Sequence, residues 1–282
     1  MKDKYKVELY LEKENGLAES PYYDTRYRVL SWVDIPNGIL YLADKRGRIK
    51  EVKFDEKISC AIPLKRSNGF LVCGTKALYI YENDKIEVLH DLTKYFDPSQ
   101  RCNDACVDKL GRLWFSSIVD DDIHAPEGKL YCYYKGEVKC MDSDVKLGNG
   151  ICWNKKYTRM FFVDSVAGVV YVYDYNLDKG EISNRRVLCN IRDGEPDGMI
   201  IDKDEFLWIA IWNGSRIEIR NSKNGLLKRT IDMPTRNITC LAYNAEDKNV
   251  IITTAKSDRL GGNLFEIKTD TKFDERNYAE VE

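Results

Sequence analysis

Four segments of the chain repeat one pattern, in which a polar residue is followed by an apolar stretch, a loop and an aromatic-rich run. They read ESPYYDTRYRVLSWVDI from Glu19, NDACVDKLGRLWFSSI from Asn103, NGICWNKKYTRMFFVDS from Asn149 and PDGMIIDKDEFLWIAIW from Pro196. The polar positions lie 46 residues (103 to 149) and 48 residues (149 to 197) apart, and the 84 residues from 19 to 103 make two shorter periods. A period of this length is typical of a repeat architecture built from small stacked sheets.

The repeat predicts an all-β protein, a six-bladed β-propeller that forms a single domain over residues 1–282. Short runs of Val, Ile, Leu, Tyr, Phe and Trp, bounded by Gly, Asn, Asp or Lys, are typical of strands. Dividing 282 residues by about 47 gives six units, and about four strands per unit favour a propeller over a sandwich. A closed ring must join its ends, so the alternating segment at 5–12 is predicted to close the last blade.

The charge and cysteine content exclude several classes of protein. The net charge is −2 and no basic stripe is present, so we expect no nucleic-acid partner. No run approaches the roughly 18 apolar residues that cross a bilayer, and the charged N-terminus lacks the apolar region of a secretory signal, so we expect no membrane partner. The nine cysteines are scattered singly without a CxxC pair, which indicates a reduced, cytoplasmic protein. We expect a monomer or a weak dimer.

The polar residues at the repeat starts are candidates for one shared site, because equivalent positions of successive blades face the same axis. Glu19, Asn149 and Asp197 offer two carboxylates and an amide oxygen, which hard divalent cations prefer. Two histidines in the whole chain exclude a multi-histidine zinc site. Arg101 and Asn103 add a cation and an amide that suit the binding of polyhydroxyl or anionic groups. A metal held by few protein ligands suits hydrolysis of a small carbonyl ester.

Each of these residues also has a structural interpretation. Asn-Gly and Asp-Gly are the commonest turn dipeptides, and Asn149-Gly150 and Asp197-Gly198 differ from the others only by being in phase with the repeat. Glu19 alone is typical of a solvated acid, and Arg101 alone is typical of a surface ion pair. The spacing leaves both interpretations open.

The four segments resemble the SMP-30/gluconolactonase/regucalcin-like family. The family's glutamate motif and Trp-Val-Asp strand are matched by AESPYYD and LSWVDI, and its Arg-x-Asn-Asp motif by RCNDACVDKLGRLWF. Its Asn-Gly and Pro-Asp-Gly motifs are matched by GNGICW, followed by FFVDS, and by PDGMIIDKDEFLWIA, followed by NGSRI and later GGNLFEI. The resemblance covers nearly the whole chain.

The resemblance implies a six-bladed propeller with one divalent metal ion in its central channel, Ca²⁺ or Zn²⁺, with Mn²⁺ or Mg²⁺ as further options. By motif match, Glu19, Asn149 and Asp197 are the expected metal ligands. Asp197 is also the expected general base that assists the attack of water. Arg101 and Asn103 are the expected substrate-binding residues.

A further acid is expected from the family in the loop after the third blade's strand, where it binds sugar hydroxyls, and Asp121 is the matching residue. Two departures accompany these matches. The segment AESPYYD lacks both glycines and the tryptophan of the family's first motif, and Ala105 replaces a glycine, which predicts a narrower approach beside Asn103.

Together these observations predict a metal-dependent lactone hydrolase of the gluconolactonase type, with a small-molecule lactone as its partner. The metal is expected to polarise the lactone carbonyl. The first alternative is a calcium-binding regulatory protein with little hydrolysis, which would use the same ligands. The second is a propeller scaffold that binds protein partners, in which Glu19, Asn149 and Asp197 are only turn residues.

Overall fold

Strands are the only regular secondary structure in the part of the chain that the structure describes. A computed structural model describes residues 5–122, 124–125, 127–257 and 259–281. Within these ranges it contains 24 strands and no helix, and the strands form six antiparallel four-stranded sheets. Each sheet is one blade of a six-bladed β-propeller, as the repeat predicts.

The first three blades each take four consecutive strands. Blade 1 comprises β2–β5 (Ala18–Asp24, Val29–Asp34, Ile39–Asp44, Ile49–Lys53), blade 2 comprises β6–β9 (Cys60–Pro63, Phe70–Cys73, Ala77–Glu82, Lys85–Asp91), and blade 3 comprises β10–β13 (Gln100–Val107, Leu113–Val119, Gly128–Tyr134, Glu137–Val145).

The last three blades include the strand that closes the ring. Blade 4 comprises β14–β17 (Gly148–Trp153, Arg159–Asp164, Val169–Asn176, Glu181–Asn190), blade 5 comprises β18–β21 (Glu195–Ile201, Phe206–Trp212, Arg216–Asn221, Leu227–Asp232), and blade 6 comprises β22–β24 (Ile238–Asn244, Asn249–Thr254, Leu264–Lys268) with β1 (Val7–Leu11). The strand β1 lies in the segment 5–12 and pairs antiparallel with β24, with Val7 opposite Ile267. Because β1 precedes blade 1 in the chain and pairs in blade 6, it links the first blade to the last and closes the ring.

The innermost strands of the blades surround the propeller axis. They are β2, β6, β10, β14, β18 and β22, and each contacts the next around a closed ring. Their side chains are almost all buried, whereas the side chains of an outermost strand such as β17 are mostly exposed or half-buried. The hydrophobic core lies between adjacent blades; Val33 and Leu40 of blade 1, for example, pack with Ala61, Phe70 and Val72 of blade 2.

After β24 the chain crosses one face of the propeller as an extended segment, residues 269–281, which we call the C-terminal strap. It forms a bridge from Phe273 to Asp202 in blade 5 and another from Ala279 to Leu64 in blade 2. The hydroxyl of Tyr22 donates to the backbone carbonyl of Arg276 at 2.8 Å. The strap therefore lies against the C-terminal ends of the innermost strands and leaves their N-terminal ends uncovered.

All nine cysteines lie in described positions and are free thiols. Across the described ranges we find no helix with the length and apolar character of a membrane span.

Candidate functional site

One pocket lies on the propeller axis at the N-terminal ends of the innermost strands. Five of the six residues that the sequence analysis selected line it, namely Glu19, Arg101, Asn103, Asn149 and Asp197. The remaining lining residues are Leu17, Ile35, Asp104, Ile118, Leu147, Ser165, Glu195 and Trp212. Residues that are up to 178 positions apart in the sequence (19 to 197) thus meet in one place.

Local irregularities in the innermost strands position these side chains. The register of β2 with β3 shifts between Glu19 and Tyr22, and the register of β18 with β19 shifts between Pro196 and Met199. Equivalent shifts occur in β10 after Cys102 and in β14 after Asn149. A β-bulge breaks the strict alternation of a strand and redirects a side chain. The candidate site residues lie at these bulges, so the repeat in the sequence is a repeat of bulges.

The Asn-Gly and Asp-Gly dipeptides at the site lie inside β14 and β18, not in hairpin turns. Their glycines permit a close approach between neighbouring strands. A Cβ on Gly150 would lie 2.6 Å from the Asp197 carbonyl oxygen, and one on Gly198 would lie 2.4 Å from Cys240 Sγ. These two glycines therefore allow β14 to pack directly against β18, and β18 directly against β22, at the axis.

The first family motif departs from glycine at a strained position. Ser20 has φ of +50°, a left-handed conformation that costs a non-glycine residue roughly 1 kcal/mol or more. Its Oγ accepts a hydrogen bond from the Ala61 N–H at 3.3 Å, which partly offsets that cost. The second departure, Ala105, is buried in the core cluster beside Tyr22 and is not among the residues that line the pocket.

A chain of hydrogen bonds fixes the two asparagines. Asn103 Nδ2 donates to Asn149 Oδ1 at 2.8 Å, and Asn149 Nδ2 donates to Ser165 Oγ at 2.8 Å. Ser165 Oγ donates in turn to the Pro196 carbonyl at 2.6 Å. Because its nitrogen is engaged by Ser165, the Asn149 amide presents its oxygen on the side of Asn103 and the pocket.

The carboxyl groups at the axis are buried close to one another. Burial and the Asp104 carboxylate raise the pKa of Glu19 to about 8, while the Ser20 N–H and Arg276 oppose this rise. Burial, followed by Glu19 and Asp104, raises the pKa of Asp197 well above its ordinary value. Each acid therefore resists ionisation unless a further positive charge is present.

Asp104 lines the pocket but was not predicted from the sequence, and the same is true of Glu195 and Trp212. Asp104 Oδ1 accepts a hydrogen bond from the Ala105 N–H at 2.7 Å and lies 3.5 Å from Cys60 Sγ, and burial raises the pKa of its carboxyl. In an unbroken strand Asn103 and Asp104 would point to opposite faces. The register shift between Cys102 and Ala105 lets both reach the pocket.

The structure brings Asp120, not Asp121, to the substrate-binding candidate Arg101. Arg101 Nε donates to Asp120 Oδ1 at 2.5 Å, and Lys57 Nζ donates to Asp120 Oδ2 at 2.6 Å. Arg101 Nη1 also donates to Asn103 Oδ1 at 3.2 Å. Asp121 is exposed and is not among the pocket-lining residues. Asp120 and Asn103 together hold the guanidinium of Arg101 at the pocket.

A cation reaches the site from the opposite end of the channel. Arg276 of the C-terminal strap donates from Nη1 to the Pro21 carbonyl at 2.8 Å, just beyond the bulge that carries Glu19. Its positive charge lowers the pKa of both Glu19 and Asp104. The strap therefore contributes electrostatically to a pocket that it does not line.

Comparison with known proteins identifies the family of the chain. The model of the SMP-30/Gluconolactonase/LRE-like region matches residues 17–256. The chain belongs to this family. A lactone-hydrolysing class of protein is thereby supported at the level of the family.

Relatives of the chain are similar over most of their length. Regucalcin of Bos taurus is 27% identical over 264 residues, which are 90% of this chain and 88% of that protein. A Bacillus subtilis protein named provisionally as a sugar lactone lactonase is 28% identical over 246 residues, 85% of this chain and 83% of its own. The structure of a luciferin-regenerating enzyme superposes with a TM-score of 0.92 at 24% identity and covers 98% of this chain and 100% of that one. That likeness shows the shared fold.

Proposed function

We propose that this chain hydrolyses small sugar lactones with the help of one divalent metal ion bound by Glu19, Asn149 and Asp197. The observation that carries the proposal is the axial pocket, in which these oxygen-bearing groups lie beside Arg101 and Asn103. Membership of the gluconolactonase family supports the reaction class. The nine free cysteines support a reducing compartment such as the cytoplasm.

The donor groups in the pocket fit a hard divalent cation. In the described ranges no three His, Cys, Asp or Glu side chains are arranged to hold a metal, so such a site depends on the Asn149 amide oxygen as well as the carboxylates. The Glu19 carboxylate accepts a hydrogen bond from the Ser20 N–H at 2.7 Å, and burial disfavours its charge. Buried carboxylates that lack a matching cation are a suitable environment for Ca²⁺ or Zn²⁺, and also for Mn²⁺ or Mg²⁺.

A metal bound here would polarise a lactone carbonyl and lower the pKa of water. Asp197 would take a proton from the attacking water as its oxygen bonds to the carbonyl carbon, and the ring C–O bond would then break. That proton would pass to the departing ring oxygen and yield the open hydroxy acid. Asn103 would orient the substrate, and Arg101, held by Asp120, would donate hydrogen bonds to its oxygens.

Hydrolysis of a panel of aldonolactones tests the proposal. The wild type and Asp197→Ala would be assayed after chelation and after separate addition of Ca²⁺, Zn²⁺, Mn²⁺ and Mg²⁺. We expect metal-dependent turnover that falls by at least about a hundredfold in the variant, as for other groups that act in proton transfer. Glu137→Gln, on the exposed edge strand β13, is the control and should retain turnover.

Other outcomes would support the alternatives. Saturable calcium binding that is lost in Asp197→Ala, without turnover of any lactone, would favour a calcium-binding protein, which the names of its regucalcin relatives suggest. Absence of both turnover and metal binding would refute the proposal and favour a scaffold.

A further inference from the structure

Trp212 differs from the other tryptophans of this chain. Its four counterparts are buried in the core and have aromatic contacts, namely Trp32, Trp114, Trp153 and Trp208. Trp212 is partly exposed and lines the axial pocket. Among the described residues its ring has no aromatic, cation–π or hydrogen-bond partner. A partly exposed aromatic ring without such partners, in a pocket that also holds polar groups, is available to a ligand.

Glu195 is the cross-strand neighbour of Trp212. The two residues pair directly between β18 and β19, so their side chains lie on the same face of the blade, and both line the pocket. Within the described ranges the Glu195 carboxylate has no hydrogen bond or ion pair with another residue. Both oxygens of this acid therefore remain available as hydrogen-bond acceptors at the pocket.

The two side chains have the chemistry of a carbohydrate subsite. A carboxylate accepts hydrogen bonds from hydroxyl groups, and the face of an indole ring packs against the C–H groups of a saturated ring. Arg101, in the same pocket, supplies donors for the oxygen atoms that such a ligand presents. A ligand that covers Glu195 without offering a hydroxyl would leave a desolvated acceptor unpaired, which is costly.

We propose that Glu195 and Trp212 form a subsite that recognises the hydroxylated ring of the substrate and selects polyhydroxy lactones over plain alkyl lactones. This inference rests on the proposed lactone hydrolysis and assigns the discrimination to two residues outside the metal-ligand set. The apolar side chains of Leu17, Ile35, Ile118 and Leu147 also line the pocket and would contact either class of lactone. Discrimination therefore depends on the polar contacts, and Glu195 and Trp212 add to those of Arg101 and Asn103.

The first test compares D-glucono-1,5-lactone with δ-valerolactone, which has the same six-membered lactone ring but carries no hydroxyl substituents. We expect the wild type to favour the hydroxylated lactone in kcat/KM. Glu195→Gln should reduce that preference by about tenfold, since a hydrogen bond to a charged group is replaced by a neutral one. Trp212→Leu should reduce it by about fivefold through the lost stacking.

Glu137→Gln and Tyr27→Leu, which alter an exposed acid and an exposed aromatic away from the pocket, are the matched controls and should keep the wild-type preference. Equal losses for both lactones in the Glu195 and Trp212 variants, or an unchanged preference, would overturn the subsite. A wild type that favours δ-valerolactone would overturn it as well.

A binding measurement separates the subsite from the catalytic proposal. Because Trp212 is the only partly exposed tryptophan among the described residues, D-gluconate should change the tryptophan fluorescence of the wild type but not of Trp212→Leu. Glu195→Gln should weaken D-gluconate binding, and 5-hydroxypentanoate should bind poorly to all variants. If the wild type hydrolyses neither lactone, the hydrolase proposal fails and this binding pattern decides the subsite alone. Indistinguishable D-gluconate binding by all variants would refute it.

Discussion

Replacement of Glu19 by glutamine should stabilise the metal-free protein while removing its metal site. The carboxyl is buried, and its pKa is raised from 4.5 to about 8. The folded state therefore binds the Glu19 proton more tightly than the unfolded state. Between pH 4.5 and about 8 the folded protein holds more protons, so its stability must fall as the pH rises through this window. Glutamine has nearly the same shape and carries no proton to lose.

The magnitude follows from the same shift. Each pH unit between the unfolded pKa and the experimental pH costs about 1.4 kcal/mol. At pH 7 the free energy of unfolding of the metal-free wild type should therefore be about 3 kcal/mol lower than that of Glu19→Gln. Near pH 4 the two free energies should differ little. Because the Glu19 charge also raises the pKa of Asp197, the difference between the two proteins includes the change that Glu19→Gln makes in the titration of Asp197.

Urea unfolding in the presence of a chelator, at pH 4, 5.5, 7 and 8, measures this difference. Glu87→Gln, at an exposed position of β9, is the matched control and should follow the wild-type profile. Addition of Ca²⁺ or Zn²⁺ at about 100 times its Kd should stabilise the wild type by about 2.7 kcal/mol and leave Glu19→Gln unchanged. Parallel pH profiles for the wild type and Glu19→Gln would refute the inference that a buried, destabilising carboxyl forms part of the site.

Three further variants test the partner of Arg101, the cation of the C-terminal strap and a buried ion pair away from the pocket. Asp120→Asn should raise KM for a lactone by about tenfold with a smaller effect on kcat, because Arg101 loses a charged partner; an equal kcat and KM effect in steady-state kinetics would contradict this. Arg276→Met should lower the metal-free unfolding free energy by about 2 kcal/mol, and by less with metal present, in chemical denaturation. Asp108→Asn should cost about 3–5 kcal/mol, because it leaves the buried Arg112 guanidinium without its carboxylate, and a thermal scan without a large fall in Tm would refute this.

The sequence repeat predicted the blade architecture because a propeller is a one-dimensional array of similar units. The polar residues at the starts of the four repeats lie at equivalent positions of their blades. For that reason Glu19, Asn149 and Asp197 meet in one axial pocket. The period reports only which positions are equivalent. It does not report which neighbouring side chain a bulge turns toward the axis, and Asp104 was missed on that account.

Residues outside the repeat could not be placed by spacing. Arg276 belongs to the strap, which follows the last strand of blade 6 and has no counterpart in other blades.

Trp208 and Trp212 are four residues apart on β19, so alternation predicts the same face for both. Their environments differ because Trp208 lies in the core between blades and Trp212 lies at the end of the strand, at the pocket. Position along a strand decided the exposure of these side chains.

The charges at the axis give an independent reason to expect one divalent cation there. Glu19, Asp104 and Asp197 would carry three negative charges when ionised, and Glu195 adds a fourth in the same pocket that also acts on Asp197. Arg276 offsets one of these charges from the strap side. A single divalent cation would offset two more, and its charge would oppose the effect of burial, which is the first cause of the raised pKa values of Glu19 and Asp197. Without such an ion the channel reduces its charge by retaining protons, so metal binding at neutral pH should release protons from the site, and this release can be measured by calorimetry in buffers of different ionisation enthalpy.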